Sequence, residues 1–389
     1  MSGVTSHGYL LELIRSSGGL SRQQLVESTG MSRGTLFGRL DTLIRLGLVF
    51  EAESLGATGG RRARRIRFED RGRVVLAIDL GQTHARISIT DLAGTELRRA
   101  AMPLDVDRGA AAVLGPVLDH AEKLVAGGSG ERLVGIGVGV PAAVDAASGA
   151  VLHPTTLADW PAAAVTDAVA ARWSLPLVVE NDARAAAVGE CRSDEETLVY
   201  VKVATGIGCG IVVGGDVLRG AGGVAGDLGH VRAGVLSPPP SDPPPLCRCG
   251  RRGCLAAYSS GRALLERLGA ASIAELVARV ADPDVAAELV RAADVLGVTL
   301  ATTVTTVNPH RVVLGGSLGV LPPLVSRVRA QVNDIVADLA RPTVEGSALG
   351  DRATVRGLAR LVARRVYAPE AVDAAVDAAA ARSPDHGPG

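Results

Sequence analysis

The chain begins with helical spacing and then changes period. In residues 6–17, SHGYLLELIRSS, the apolar Tyr9, Leu10, Leu13 and Ile14 share one helical face, and Gly18-Gly19 ends it. Ser21 is placed to cap a second helix, SRQQLVEST, closed by Gly30. Ser32 caps a third, SRGTLFGRLDTLIRL, with Leu36, Leu40 and Leu43 on its buried stripe. Two short helices joined by the tight turn Thr29-Gly30-Met31 are spaced as a helix-turn-helix. The period then drops to two. Val49 begins a strand, LGATGG turns, and Arg65-Ile66-Arg67-Phe68 alternates, which predicts a two-stranded wing with Ile66 and Phe68 inward. On this reading the third helix enters a major groove and Arg33, Thr35 and Arg39 read it. Arg61 and Arg62 at the wing tip grip phosphates or enter a minor groove. A small helical protein-interaction domain is the other reading of the same pattern.

Further along, apolar runs alternate with glycine turns. RVVLAIDLGQTHARISI, from Arg73, is a buried strand, the turn Asp79-Leu80-Gly81-Gln82-Thr83, and an alternating strand. TLVYVKVATGIGCGIVV, from Thr197, repeats that layout around Ala204–Gly210. Glycines let backbone N–H groups approach an oxyanion, and threonine hydroxyls add donors. Asp79, Thr83, Thr205, Gly206 and Gly208 are therefore candidate phosphate-loop residues, although hairpins also use glycine simply to turn. Two such hairpins predict a duplicated domain with a cleft between its lobes. Between them LVVENDARAAA, from Leu177, delivers Asn181 and Asp182 at the C-terminal end of a strand, where binding groups of open α/β sheets gather. Asp182 reads as a general base toward a hydroxyl or as a helix N-cap. VNPHRVVLGGS, from Val307, adds a strand ending in Gly315-Gly316.

Composition sharpens this only in places. Apolar residues make up 47% of the chain, so a globular protein is expected. No apolar run is long enough to span a membrane, and MSGVTSHGYL lacks a signal peptide's layout, so a cytoplasmic protein without a membrane partner is expected. The net charge is zero but uneven. Residues 1–73 hold twelve Arg against seven Asp and Glu, a net of +5, which the remainder balances. A basic head suits a polyanion. Only Lys123 and Lys202 are lysines, however, so arginine is the default base here and its enrichment says little by itself. Three of the five cysteines, Cys247, Cys249 and Cys254, crowd into LCRCGRRGCLAAYSS. With His230 upstream they make a Cys3His set suited to tetrahedral zinc, reduced loop thiols being the alternative. SPPPSDPPP between the ligands is stiff and extended, so a metal would tie down a loose insertion.

AGDLGH, CRCGRRGCL, ENDARAAA, ATGIGCG and NPHRVVLGGS, in that combination, resemble the ROK family of repressors, open reading frames and sugar kinases. The resemblance implies a two-lobed actin/hexokinase-like body, a duplicated ribonuclease H-like α/β fold, with zinc near a sugar cleft. The winged head with its TGGR stretch resembles the transcriptional branch. By the same resemblance Asp182 matches the kinases' catalytic base and Asn181 a sugar-hydroxyl contact. His230 matches a histidine that binds zinc through one nitrogen and sugar through the other, and Cys247, Cys249 and Cys254 match the remaining ligands. Asp227 stands where a sugar-binding glutamate is usual, and Thr156 replaces an asparagine in HPTTLADW. Gln82 replaces the second glycine of the kinases' Asp-x-Gly-Gly-Thr loop, Ala256 replaces a glutamate after the cysteines, and Ala142 replaces the glycine of a Pro-Gly turn. Losing one charge-assisted hydrogen bond costs on the order of 1.5–3 kcal/mol, roughly tenfold or more in affinity.

The expected organisation is a winged helix-turn-helix over 1–70, a first lobe over 71–190 and a second lobe with the zinc loop over 191–368. Residues 369–389 read as a short alanine-rich helix running into a Pro/Gly-rich, disordered tail. The expected function is a transcriptional repressor that binds operator DNA as a homodimer or homotetramer and responds to a sugar or sugar derivative near Asn181, Asp182, Asp227 and His230. Asp79 and Thr83 remain, so the alternative is an ATP-dependent sugar kinase, with ATP binding weakened by Gln82. A regulator governed by a protein partner or a phosphosugar is a third reading.

Overall fold

Three serines start the three N-terminal helices. In the computed structural model, which describes residues 5–53, 64–152, 156–233 and 243–382, Ser6, Ser21 and Ser32 each accept a hydrogen bond from the backbone N–H three residues on. The helices run His7–Ser16, Arg22–Thr29 and Arg33–Arg45. Ser21 and Gln24 form a reciprocal capping box, and Gly30 takes the left-handed φ of 67° that the turn requires. Strands Val49–Glu53 and Arg64–Phe68 pair antiparallel, Val49 opposite Phe68. The wing has one strand more than expected. Gly18 and Gly19, both at positive φ, return the chain so that Leu20–Ser21 pairs with Ile66 and Arg65.

This head is closed by the far end of the chain. Contacts divide the protein into two units, the smaller joining the segment up to Arg73 with the segment from Ala363. Helix Pro369–Arg382 buries Val372 and Val376. Residues 369–382, read from the sequence as a short alanine-rich helix ahead of a disordered tail, form a helix of fourteen residues whose i, i+4 valines pack; residues 383–389 lie outside the described residues. The Asp373 carboxylate accepts the Gly8 N–H at 2.8 Å. A Cβ on Gly8 would fall 2.0 Å from the Pro369 carbonyl oxygen. The Tyr367 ring meets Phe68 edge-on at 4.9 Å, and the Arg15 guanidinium lies 5.2 Å from both ring centres. With this second surface to cover, the first helix buries Leu10, Leu11 and Ile14 and leaves Leu13 and Tyr9 half-buried.

The larger unit, Val74–Val362, holds two five-stranded sheets. In space the first runs Glu96–Pro103, His84–Thr90, Arg73–Leu80, Arg132–Val140, Leu177–Asn181. The second runs Asp216–Val217, Ile207–Val213, Leu198–Val203, Arg311–Gly315, Thr343–Gly346. Numbered along the chain, both have the order 3-2-1-4-5, with antiparallel pairs among the first three strands and a parallel pair at the other edge. The duplication anticipated from the two glycine hairpins is therefore present. Arg73–Leu80 is buried throughout, as the apolar run Val74–Ile78 requires. Helix Ala110–Ala126 packs Val113 and Val117 into the first core, and helices Pro283–Val307 and Pro322–Ile335 pack Leu296 and Val328 into the second.

A third core is built from small residues. Helix Asp182–Glu190 buries Ala183, Ala185, Ala186 and Ala187 completely. Its neighbours approach at backbone distance: a Cβ on Gly210 would lie 2.5 Å from Ala183 O, and one on Gly357 would lie 1.7 Å from Ala185 O. The Ala/Gly composition thus sets how closely Asp182, at the helix start, can be held against the strand Ile207–Val213.

Candidate functional site

Asn181 and Asp182 divide two tasks between them. Asn181 is the N-cap: its Oδ1 accepts from Ala183 N and Arg184 N at 3.1 Å, and its Nδ2 donates to Ala142 O at 3.1 Å. That leaves Asp182 to face a cavity of about 1340 Å³. Asp182 Oδ1 accepts from its neighbour Ala183 N at 2.7 Å, and Oδ2 from Lys202 Nζ at 2.7 Å. Lys202 was not anticipated from the sequence. Burial works against its ammonium, yet Asp182 and Asp79 together hold it above its ordinary value.

Both glycine turns reach this cavity. Thr83, Thr205, Gly206 and Gly208 lie on its wall, as do Asp227, His230, Thr156, Ala142 and Ala256. Asp79 sits behind the wall, buried, and its Oδ1 has no hydrogen-bond partner among the described residues. Burial raises its carboxyl above the usual range, with Lys202 pulling the other way. Gln82 reaches across: a Cβ on Gly206 would lie 3.1 Å from Gln82 Nε2. Cys209, expected in the turn, is a small buried residue of strand Ile207–Val213, its thiol pushed up to about 12 by burial.

Two further residues, also unforeseen, hold the loop that leads to Asp227 and His230. Arg184 Nη1 donates to Gly223 O at 2.8 Å, just ahead of Asp227 and His230. Glu180, on the preceding strand, carries the opposite charge for both Arg184 and Arg219. The signal was in ENDAR itself, where Glu180 and Arg184 stand at i and i+4 on either side of Asp182.

Next to the cleft, one ligand atom from each of His230, Cys247, Cys249 and Cys254 lies within 4.8 Å of the others, a set that can hold a metal ion. His230 Nδ1 is 3.6 Å from Cys247 Sγ, and Cys249 Sγ is 3.6 Å from Cys254 Sγ. Burial opposes the Cys249 thiolate, but hydrogen bonds from Arg251 and the neighbouring thiols bring its thiol down to about 6. Cys254 goes the other way, pushed up to about 12 by burial and then by Cys249.

In the head, Arg33 and Thr35 are exposed at the start of helix Arg33–Arg45, beside exposed Phe37. Thr35 Oγ1 lies 2.9 Å from Ser32 Oγ. Arg39 is turned inward instead, with Nε buried and Nη1 3.4 Å from His7 Nδ1. Arg61 and Arg62 lie outside the described residues. No described helix is long and apolar enough to cross a membrane.

Comparison with known proteins fits this geometry. The ROK family profile matches residues 75–365. The xylose repressor of Bacillus subtilis is 27% identical over 368 residues, covering 91% of this chain and 93% of its own. A glucokinase of Halalkalibacterium halodurans is 26% identical but covers 72% of this chain. Among solved structures, a ROK family transcriptional regulator described as a homologue of the E. coli MLC protein covers 95% of this chain and 98% of its own, with a TM-score of 0.77 at 23% identity. A ROK family glucokinase from Streptomyces griseus, solved with glucose and AMPPNP, covers 74% of this chain and 98% of its own, with a TM-score of 0.61 at 26% identity. The likeness to the xylose repressor spans 91% of the chain and that to the glucokinase 72%, which favours a regulator over a kinase. The chain belongs to the ROK family, and within it is more similar to the transcriptional regulators than to the kinases.

Proposed function

We propose that this protein is a cytoplasmic transcriptional repressor whose head binds operator DNA and whose cleft binds a small sugar that lowers operator affinity. The observation that carries this is the helix Arg33–Arg45, capped by Ser32 and presenting Arg33 and Thr35 to solvent within a three-stranded winged head. A homodimer or homotetramer would place two such helices on half-sites about one or two DNA turns apart. The sugar would lie between the glycine turns, with Asp182, Asp227 and His230 as hydroxyl partners. It acts only through a preference for one conformation over another.

The metal is proposed to be zinc. Tetrahedral zinc with bonds of about 2.3 Å to sulfur and about 2.0–2.1 Å to nitrogen separates its ligand atoms by roughly 3.5–3.8 Å. The two separations of 3.6 Å fit that edge length. Its role would be to fix His230 and its loop beside the cleft.

Footprinting on the protein's own upstream region, with and without a panel of aldoses headed by xylose, tests the reading. Protection relieved by one sugar is expected; no protection there or across a genomic library overturns it. The alternative of an ATP-dependent sugar kinase keeps support from Asp182, which faces the cavity beside Thr205 and Gly206. Sugar-dependent ADP release lost in Asp182→Asn would favour it.

A further inference from the structure

Lys202 is one of only two lysines among 41 basic residues. It lies on strand Leu198–Val203, just before the second glycine turn. Its neighbours across the sheet are Gly208 on one side and Gly315 on the other. A lysine flanked by glycines on both adjacent strands has room for its stem. It also presents a compact point charge, where a guanidinium would be planar and broad. That charge ends 2.7 Å from Asp182 Oδ2, with Asp182 and Lys202 side chains 8% and 19% exposed. Asp79, buried behind them, lies within reach of the same field.

Two carboxylates in a shared, poorly hydrated site stay ionised together only with a cation beside them; otherwise one takes a proton. A divalent ion carrying nucleotide phosphates is one solution. Lys202 is another. Gln82, whose amide nitrogen stands beside Gly206, takes up space between the two turns where phosphate would enter.

We propose that Lys202 is the built-in counter-cation of this cleft, replacing a divalent metal, so that the cleft takes an uncharged polyhydroxy ligand without metal or nucleotide. Asp182 is thereby fixed as a hydrogen-bond acceptor. To act as a proton acceptor it would first have to give up its ammonium partner. The proposal rests on the reading of the cleft as a ligand site and is independent of DNA binding by the head.

The test uses the full chain with its zinc loop loaded and Mn²⁺ alone as probe, read by electron paramagnetic resonance. Lys202→Met is expected to bind Mn²⁺ at least tenfold more tightly than the parent, and Asp79→Asn added to it is expected to abolish the gain. Lys202→Met should also melt lower, with millimolar Mg²⁺ restoring much of the loss. Mn²⁺ binding no tighter in Lys202→Met than in the parent overturns the proposal, as does a gain that survives Asp79→Asn. Should Lys202→Met not fold, Lys202→Thr serves in its place. Calorimetry on the unaltered protein adds an independent arm. Xylose and glucose titrations should be the same with and without Mg²⁺-AMPPNP, and a ligand that binds only with Mg²⁺ present overturns the proposal. Absence of any sugar binding would count against the effector reading, while the Mn²⁺ comparison still decides the role of Lys202.

Discussion

Arg184, in the first turn of helix Asp182–Glu190, and Glu180, near the end of the strand before it, are each 2% exposed, with Nε and Oε1 2.8 Å apart. Burial pulls the Arg184 guanidinium below its ordinary value, and Glu180 opposes this. Removing one member of a buried pair typically costs about 3–5 kcal/mol, because the other charge is left stranded. Arg219, one-third exposed, still reaches Glu180 at 2.8 Å and softens the loss. Arg184→Met is therefore expected at the low end of that range. It should also weaken ligand binding, since the link to Gly223 goes with it. Denaturant melts check the first point and calorimetry the second; adding Glu180→Gln should recover part of the stability.

The orientations of Arg33 and Arg39 predict different phenotypes. Arg33→Ala should weaken operator binding by about 1–3 kcal/mol if it reads a base, and relax preference at that position. Its folding should be untouched, because the side chain is exposed. Arg39→Ala should lower the melting temperature and leave base preference unchanged, because its guanidinium is turned toward His7. Mobility shifts on a panel of operator variants, set beside melting curves, separate the two.

Cys254→Ser should release the metal and loosen the loop. Dialysed parent protein is expected to hold zinc, measured with a metal-sensitive dye after denaturation, and the variant to hold none. Hydrogen exchange should speed up around 228–233 and 246–259. Retention of zinc by Cys254→Ser would argue against a four-ligand site at His230, Cys247, Cys249 and Cys254.

The head should weaken in mild acid. Burial, and then Arg39, hold the His7 imidazole below its ordinary value, while Asp373 and Asp377 pull the other way. As pH falls, the unfolded chain therefore takes up this proton before the folded one. Stability carried by neutral His7 is complete above about 6.5 and drains away below it. Melting at pH 5.5 should fall below that at pH 7.5 by more in the parent than in His7→Gln. Equal falls in the two would remove His7 from the account.

Legibility in the sequence followed range. Ser21, Gln24 and Ser32 act within one turn of their partners, so the head's second and third helices could be read directly. The two glycine hairpins and the cysteine cluster Cys247, Cys249 and Cys254 were equally plain, since each is a local signature; His230, seventeen positions upstream, joined the cysteines by the chemistry of a metal set rather than by spacing. Lys202 was passed over because its partner Asp182 lies twenty positions away on another element. The third strand of the wing, Leu20–Ser21, is too short to show a period of its own. Arg39 looked like a groove reader because helical spacing says which residues share a face, not which are drawn inward by His7. Tyr367 and Asp373 were invisible for the most physical of reasons: periodicity reports neighbours three or four residues away, and Asp373 meets Gly8 across 365 positions.

That last pairing has a bearing on how the protein is made. A ribosome spells out Gly8 early and Asp373 very late, so the first helix must wait for almost the whole polypeptide before its brace arrives. A helix synthesised early is thus completed late. A message broken anywhere upstream of codon 373 would yield fragments whose first helix lacks this brace.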